Sequence, residues 1–425
     1  MRTDYGKLTA LGALHMAQYF PAAFTGVALP AIFRAEGLPL EMFWLFALPA
    51  VPRWFKWLIA LPVDSYGSHR FGYRKSWIVP CTLLGTLLYL SLALLEPSDE
   101  TVYLIVGILF VKSIIMAAQD VAVDAFATET LTNADRTVGT SIIIFLGYLG
   151  GVIGGALMSG VETFGWSSTM ATASVMLVAA ALPAIIRPEP PPPIARQQRR
   201  ARGERASLLK LLQRRDSHYI MPFMYLFGFS GAIFNSLMSV FLVDRGFTLT
   251  EIGTIVPLAT FIGMGGGALV TPLLVSRWGL RGAAVIGILT LPVEGLVFAW
   301  FSTTTTLPPV TAMILIMALL NFTTSIYTFA VNNSRYRWAS KGQAATEFSM
   351  QSSIWNGGVW TAGTVAGFLA AWLGWMSFFI VVAGIGTITA IVYVAMFNRV
   401  ESLVSKRELE EETAADDAAT YRTTT

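Results

Sequence analysis

The chain has 425 residues, of which 54% are hydrophobic and only 13% are charged, and its net charge is +3 at pH 7. Soluble domains carry about 25% charged residues, so this composition excludes a protein whose whole surface faces water. It indicates a polytopic membrane protein. The small net charge gives no sign of nucleic-acid binding. A single cysteine, Cys81, excludes a disulfide framework and a thiolate metal cluster.

Apolar segments follow one another along the chain, and we predict that each crosses the membrane as a helix, because a crossing needs about 20 mostly apolar residues. The first segment follows a short basic head and is typical of a retained helix rather than a cleaved signal peptide. The twelve predicted crossings are 8–33, 42–63, 77–96, 101–125, 138–160, 166–187, 218–242, 250–274, 283–302, 307–332, 345–370 and 375–397.

The composition changes abruptly between the sixth and seventh crossings, where proline and arginine dominate and lipid is excluded. The sequence therefore predicts a six-helix bundle over 1–187, a linker over 188–216, a second bundle over 217–397 and a disordered polar tail over 398–425. Most lysine and arginine residues lie on the side of the linker, with Arg34 and Arg245 on the other side. This bias predicts that the linker and both termini are cytoplasmic.

The two halves share short patterns at corresponding places. RFGYRK (70–75), after the second crossing, corresponds to RWGLRG (277–282), after the eighth, and VAVDAF (121–126) corresponds to FAVNNS (329–334). Two repeated halves joined by a linker are typical of secondary transporters, whose site lies near the membrane midplane between the halves. We therefore expect an all-α membrane protein with twelve transmembrane helices in two pseudo-symmetric six-helix halves.

The loop DSYGSHRFGYRKSW (64–77) resembles the motif between the second and third helices of the major facilitator superfamily. The resemblance implies the fold of that superfamily and a cytoplasmic gate closed by charged pairs between the halves. Two departures are that no basic residue follows Asp64 and that Gly72 lies unusually far from it. The alternative is a positive-inside anchor with a tight glycine turn. The implied gate residues are Asp64, Gly72, Arg74, Lys75, Arg277 and Arg281.

A narrower resemblance is carried by WFKWLIALPVDS, AAQDVAVDAFATETL and LGYLGG, which are similar to motifs of the muropeptide permease and acetyl-CoA transporter branch. Within this branch, the chain length and VDSYGSHRFGYRKSWIVPC are most similar to the single-polypeptide siderophore permeases. The resemblance implies a proton-driven importer of a ferric siderophore in a bacterial inner membrane. An importer of anhydro-muropeptides, which are peptidoglycan fragments, is the alternative within the fold, and an exporter of a drug-like solute is the third.

Charged residues occur inside the apolar segments, where an isolated charge costs at least about 2.5 kcal/mol. They are therefore expected to face other helices or a water-filled cavity. Asp120 and Asp124 are spaced for one helix face. Opposite charge comes from Arg53 and Lys56, which are three apart on one face of the second crossing, or from Lys112. Such a network can hold a proton and an anionic solute, or can be a static tie between helices.

Other polar groups complete the predicted site. His15 is included because its ordinary pKa lies near working pH, and Glu294 because it is the single carboxylate of the ninth crossing. Each is alternatively a packing residue. The residues predicted to serve the substrate or the proton are Arg53, Lys56, Asp120, Asp124, Gln119, Tyr148, His15 and Glu294.

Motifs of other functional classes are missing from the sequence. It has no GxxxxGK[ST] phosphate loop, no HExxH zinc motif and no GxSxG in a strand-turn-helix context. We therefore predict no enzyme, no cofactor and no resident metal. The predicted partners are a small-molecule substrate, the proton and the lipid bilayer, without nucleic acid, and the protein is expected to be a monomer. A non-transporting membrane sensor, suggested by the arginine-rich linker, is the alternative from a different class.

Overall fold

The computed structural model describes residues 5–68, 70–130, 136–187, 189, 213–338 and 344–424. Within these ranges the chain is helical, and β pairing is limited to an isolated bridge between Ser68 and Gly72. Most of the predicted linker (188–216) lies outside the described residues. The all-α class predicted from the sequence is confirmed.

The first half is built from helices that are continuous in some crossings and broken in others. A π-helical turn (Phe24–Ala28) joins α1 to α2, and a tight 3-10 helix (Leu40–Ala50) precedes α3. Pro49 and Pro52 lie at this second junction, and they lack the N–H that a regular α-helix needs. The helices are α1 Tyr5–Ala23, α2 Leu29–Ala35, α3 Val51–Trp54, α4 Lys56–Ser65, α5 Lys75–Leu92, α6 Val102–Thr130, α7 Arg136–Phe164 and α8 Trp166–Ile186.

The second half contains long helices that bend at glycine. Gly279 (φ 68°) and Gly374 (φ 73°) have left-handed backbone conformations, which glycine adopts without steric cost. Each therefore turns one continuous stretch into two crossings. The helices are α9 Ser217–Ser236, α10 Met238–Asp244, α11 Leu249–Ile288, α12 Thr290–Thr303, α13 Val310–Trp338 and α14 Ala344–Thr424.

Ten stretches of the described residues are long and apolar enough to cross a membrane. One of them, Met350–Arg407, has 58 residues and bends at Gly374, so it is long enough for two crossings. Residues 40–65 are not among the ten, because this region is broken into short helices and carries Arg53 and Lys56. With this region and the bend at Gly374 counted, the structure is consistent with the predicted twelve crossings.

The two halves meet at the membrane face where α2 and α10 end, which we call the far side. The face where α8 ends and α9 begins is called the linker side. On the far side Arg34 donates two hydrogen bonds to Asp244, at 2.5 and 2.9 Å. Trp375 donates to the same carboxylate at 2.9 Å, and Ser239 donates to the carbonyl of Val27 at 2.9 Å. These bonds close the far side.

The tail differs from the sequence prediction of disorder over 398–425, because α14 continues as a helix to Thr424. Its first turns beyond the membrane bury Val400 and Val404 in the same apolar cluster as Trp338. Arg407 pairs with Asp216, at the start of α9. The following residues are rich in glutamate and alanine, which are good helix formers. The prediction of disorder rests on the polarity of these residues and does not account for their helix preference.

Candidate functional site

The second crossing is interrupted at the point where its two cations stand. Phe55 (φ −99°, ψ 19°) leaves the helical region between α3 and α4. Arg53 is therefore in one short helix and Lys56 begins the next. The prediction that they share one helix face differs from the structure, since the break directs the two side chains to separate places.

Lys56 enters a group of charged residues that joins three helices of the first half. Its ammonium pairs with the Asp120 carboxylate and lies 3.6 Å from Oδ2 of Asp124. Nε2 of His15, in α1, lies 3.5 Å from Oδ1 of Asp124. We call His15, Lys56, Asp120 and Asp124 the ion cluster. The structure thus brings together four of the predicted residues from α1, α4 and α6.

The surroundings of His15 suit a protonated imidazole. Nδ1 lies 2.9 Å from the carbonyl oxygen of Leu11, which only accepts, so Nδ1 carries a hydrogen. In the neutral ring, Nε2 therefore faces Asp124 with a lone pair. In the charged ring, Nε2 carries a second N–H, which faces Asp124. The ion cluster has a net charge of −1 with neutral His15 and zero with protonated His15. It therefore has a place for one proton.

Solvent reaches the ion cluster unevenly. The side chain of Asp124 is 57% exposed, whereas those of Lys56 and Asp120 are 29% and 14% exposed. Asp124 lies nearest the linker side on α6, since that helix begins at the far side. Because the far side is closed, the exposure of Asp124 indicates that solvent approaches the cluster from the linker side.

Arg53 lines a cavity of about 110 Å³ together with Lys112 and Gln18. Lys112 is 4% exposed, and its Nζ lies 5.2 Å from the centre of the Tyr89 ring. We call Arg53, Lys112 and Gln18 the cation pocket. Gln18 was missed in the sequence, although it lies three residues after His15, a spacing that places both on one side of α1.

The predicted alternative that Lys112 pairs with Asp120 or Asp124 is wrong. These carboxylates are eight and twelve residues further along α6, which is about 12 and 18 Å along a helix axis. The distance exceeds the reach of a lysine and an aspartate side chain. Lys112 therefore stays in the cation pocket, and Lys56 is the cation that contacts both carboxylates of the ion cluster.

Gln119 and Tyr148 are not part of the ion cluster. Nε2 of Gln119 donates to the hydroxyl of Thr82 at 2.9 Å, and the side chain is buried between α5 and α6. Tyr148, on α7, is partly buried near Tyr19. Gln119 therefore holds two helices together, and Tyr148 contributes an aromatic surface beside α1.

Glu294 is in the second half and is not brought to the ion cluster. Its side chain is buried, with 1% of the residue exposed. Oε1 accepts a hydrogen bond from Thr324 at 2.9 Å and lies 3.3 Å from the hydroxyl of Thr323. Among the residues that the structure describes, no cation forms an ion pair with it. Since burying an unpaired ionised carboxylate is very costly, this arrangement favours a neutral, protonated Glu294.

The predicted gate residues of the first half make bonds around the start of α5. The carboxylate of Glu189 accepts from the backbone N–H groups of Arg74, at 2.8 Å, and Lys75, at 3.0 Å. Lys75 also donates to the carbonyl of Ile185 at 2.6 Å. These bonds join the ends of α5 and α8. Gly72 has a φ of 106°, which explains the glycine at this turn.

The remaining gate predictions concern Asp64 and the second half. Asp64 lies in the last turn of α4, but its side chain is outside the described residues. Arg281 donates to the carbonyl of Val394 at 3.0 Å, and the guanidinium of Arg277 lies 5.9 Å from the centre of the Trp278 ring. These contacts of Arg277 and Arg281 lie within the second half, so the gate between the halves stays a prediction.

Solved structures similar to this chain are transporters. They include the nucleoside transporter NupG (17% identity, 93% of this chain and 99% of that chain, TM-score 0.69). The POT family transporter PepTSo matches with 12% identity over 95% of this chain and 99% of that chain, at a TM-score of 0.71. A D-xylose–proton symporter matches with 14% identity over 92% and 96%, at a TM-score of 0.67. At these identities the similarity shows the fold.

Curated relatives are similar over most of the chain. The anhydromuropeptide permease of Escherichia coli K12 is 26% identical over 378 residues, which are 86% of this chain and 75% of the relative. A Rickettsia conorii transporter named AmpG 4 is 20% identical over 399 residues, or 89% of this chain and 93% of the relative. The family profile described as Major Facilitator Superfamily matches residues 11–334. The chain therefore belongs to the major facilitator superfamily, and it is a multi-pass membrane transporter rather than an enzyme.

Proposed function

We propose that the protein is a proton-driven importer of anhydro-muropeptides, which it carries across a bacterial inner membrane by alternating access. The observation that carries this proposal is the ion cluster, in which His15 lies beside Asp124 and a proton on His15 brings the summed charge of the four side chains to zero. A group that gains and loses one proton inside the membrane can couple solute movement to the proton gradient.

The choice of cargo is supported by the similarity to the E. coli anhydromuropeptide permease. The sequence had favoured a ferric siderophore, with the muropeptide as the alternative. Both solutes are polar and carry negative groups, so Arg53 and Lys112 suit either of them. The relatives described above support the alternative and give no support to siderophore or iron uptake.

The direction of transport rests on the positive-inside bias of the sequence. With the linker and both termini in the cytoplasm, the far side faces the periplasm. The closed bonds of Arg34, Asp244 and Trp375 and the exposed Asp124 then correspond to a conformation that is closed outside and open inside. An importer in this conformation would release its solute and its proton to the cytoplasm.

The test is uptake in cells that lack their own muropeptide and siderophore permeases. Radiolabelled anhydro-muropeptide and iron-55 siderophores are offered separately, with and without an uncoupler. We expect muropeptide accumulation that the uncoupler abolishes. Asp120→Asn should abolish it as well, because Lys56 loses the nearer of its two charged partners and the ion cluster loses a negative charge. Asp99→Asn, which removes a carboxylate from an exposed position outside the ion cluster, is the matched control and should retain uptake.

Each other outcome points to a different function. Uptake of an iron chelate without muropeptide uptake would overturn the proposed cargo and support the siderophore prediction. No uptake of either solute, with the protein present in the membrane, would overturn both and support the sensor. Muropeptide uptake that resists the uncoupler would contradict proton coupling.

A further inference from the structure

The cation pocket contains two positive side chains and no negative one. Its lining, within the residues that the structure describes, includes Arg53 and Lys112 but neither aspartate nor glutamate. Lys56 differs from them, because Asp120 and Asp124 neutralise it. The lining of the cation pocket therefore carries positive charge without a carboxylate beside it.

Lys112 is poorly compensated for a buried cation. It is 4% exposed, and its contact is the face of the Tyr89 ring. A cation–π contact replaces only part of the hydration that an ammonium loses on burial. An anion entering the cavity would supply the missing charge.

Gln18 is an independent sign of a ligand-binding site. The residue is 4% exposed, and its Nε2 has no hydrogen-bond partner among the described residues. Buried polar groups are almost always hydrogen-bonded. An amide N–H₂ donates only, so the group that would satisfy Gln18 in this cavity is an acceptor.

The pocket also stands at the right depth for a transported solute. Lys112 is ten residues from the start of α6, or about 15 Å along the helix, which is half of a hydrocarbon core of about 30 Å. Gly26, on the lining, has open space where a side chain would be. The cavity thus reaches the midplane region where transporters of this type bind their solutes.

We propose that Arg53, Lys112 and Gln18 form a subsite that binds a carboxylate group of the transported solute. The proposal rests on the proposed function in assuming that the solute occupies this cavity. The guanidinium, the ammonium and the amide supply N–H donors to the two carboxylate oxygens. The subsite recognises negative charge, while the neighbouring ion cluster holds the proton.

The test compares two forms of one solute on the full-length protein in detergent. The free-acid anhydro-muropeptide and the same compound with its carboxyl groups converted to amides are titrated by calorimetry. The wild type should bind the acid at least about tenfold more tightly, as charge-assisted hydrogen bonds predict. Lys112→Met and Gln18→Leu should reduce this ratio, and Lys112→Arg should preserve most of it. Arg215→Gln, which removes an exposed charge, should not change it.

Two results would overturn the subsite. One is an acid-to-amide ratio that is unchanged in both Lys112→Met and Gln18→Leu. The other is a wild type that binds the two forms equally. If the wild type binds neither form, the proposed cargo fails and citrate becomes the deciding probe. Citrate should then raise the thermal midpoint of the wild type but not of Lys112→Met, and equal shifts would overturn the subsite as well.

Discussion

Two carboxyl groups inside the helical bundles, those of Asp120 and Glu294, have different kinds of neighbour. Asp120 has the ammonium of Lys56 as its neighbour, with the two side chains in direct contact. Glu294 has the hydroxyls of Thr323 and Thr324 as its neighbours. A hydroxyl does not neutralise a charge, so Glu294 must be protonated to be stable in an apolar interior.

This difference leads to a prediction for Glu294. Glutamine has the same shape and can accept the hydrogen bond of Thr324, so Glu294→Gln should change the unfolding free energy by less than about 1 kcal/mol. Glu294→Ala is the comparison, and it should cost about 2–3 kcal/mol, because it leaves a cavity and an unsatisfied hydroxyl. Thermal unfolding in detergent measures both. A large shift for Glu294→Gln, in either direction, would show that the carboxyl is charged.

Some residues of the site could be predicted from spacing and others could not. Asp120 and Asp124 are one turn apart, and the helix period correctly predicts a common face. Arg53 and Lys56 looked equivalent by the same rule, but the break at Phe55 separates them. The other features of the site depend on contacts between residues that are distant in the sequence. No local pattern shows that Lys112 meets the ring of Tyr89 or that Gln18 lacks a partner.

At the scale of helices, the far side is closed by the ends of three of them. Arg34 lies in the last turn of α2, Asp244 ends α10, and Trp375 lies just after the bend of α14. The side chains of Arg34 and Asp244 are 23% and 18% exposed. A partly buried, bidentate pair contributes more than an exposed one, so these bonds should favour the closed far side.

Breaking the pair should therefore expose the cavity to the far side. In a Cys81→Ser background, Gly26→Cys places a thiol on the cavity lining, where a side chain meets no atoms within 4 Å. Adding Arg34→Ala should speed labelling by an impermeant thiol reagent about tenfold, which corresponds to about 1.4 kcal/mol. Arg245→Ala is the matched control, since Arg245 bonds within the second half. Equal rates in the two variants would contradict a role for the pair.

The sequence predicts a helix well where a long apolar run determines it, and less well where the helix depends on other features. Long apolar runs predict the membrane crossings. The 3-10 helix before Arg53, in contrast, depends on the positions of Pro49 and Pro52. The bond between Arg34 and Asp244 joins residues 210 positions apart, and a single sequence carries no sign of it. The helical tail beyond residue 398 depends on packing of Val400 and Val404 against the second half.

At the scale of the whole molecule, the halves are similar in architecture but differ in chemistry. The first half holds the ion cluster and the cation pocket, while the second half places Glu294 beside the hydroxyls of Thr323 and Thr324. The two halves pack closely on the far side, where a Cβ atom added at Gly253 would meet Oγ of Ser159. Alternating access requires this contact to open.

A cross-link between these positions should stop transport. Ser159→Cys with Gly253→Cys, in a Cys81→Ser background, places two thiols at a spacing suitable for a disulfide. Oxidation should abolish muropeptide uptake, and a reducing agent should restore it, while each single variant keeps its activity under oxidation. Full uptake by a completely cross-linked protein would exclude a far-side opening between α7 and α11.

The overall topology was the most predictable level, because repeated motifs, the linker and the bias of basic residues all indicate two six-helix halves. The cargo was less predictable. Siderophore and muropeptide importers need similar charges in a similar cavity, and the motifs of residues 40–155 serve both. The similarity to the E. coli anhydromuropeptide permease, over 86% of this chain, is what supports the proposed muropeptide cargo.

The anchored end of α14 has a practical consequence for spectroscopy. Arg407 is fixed to Asp216 and to the carbonyl of Trp338, and Trp338 donates to Glu401 at 2.8 Å. A spin label or fluorophore attached near residue 405 would therefore follow the second half without independent motion. Paired with a label on the first half, it would act as a pointer whose distance distribution records how many molecules occupy each state of the transport cycle.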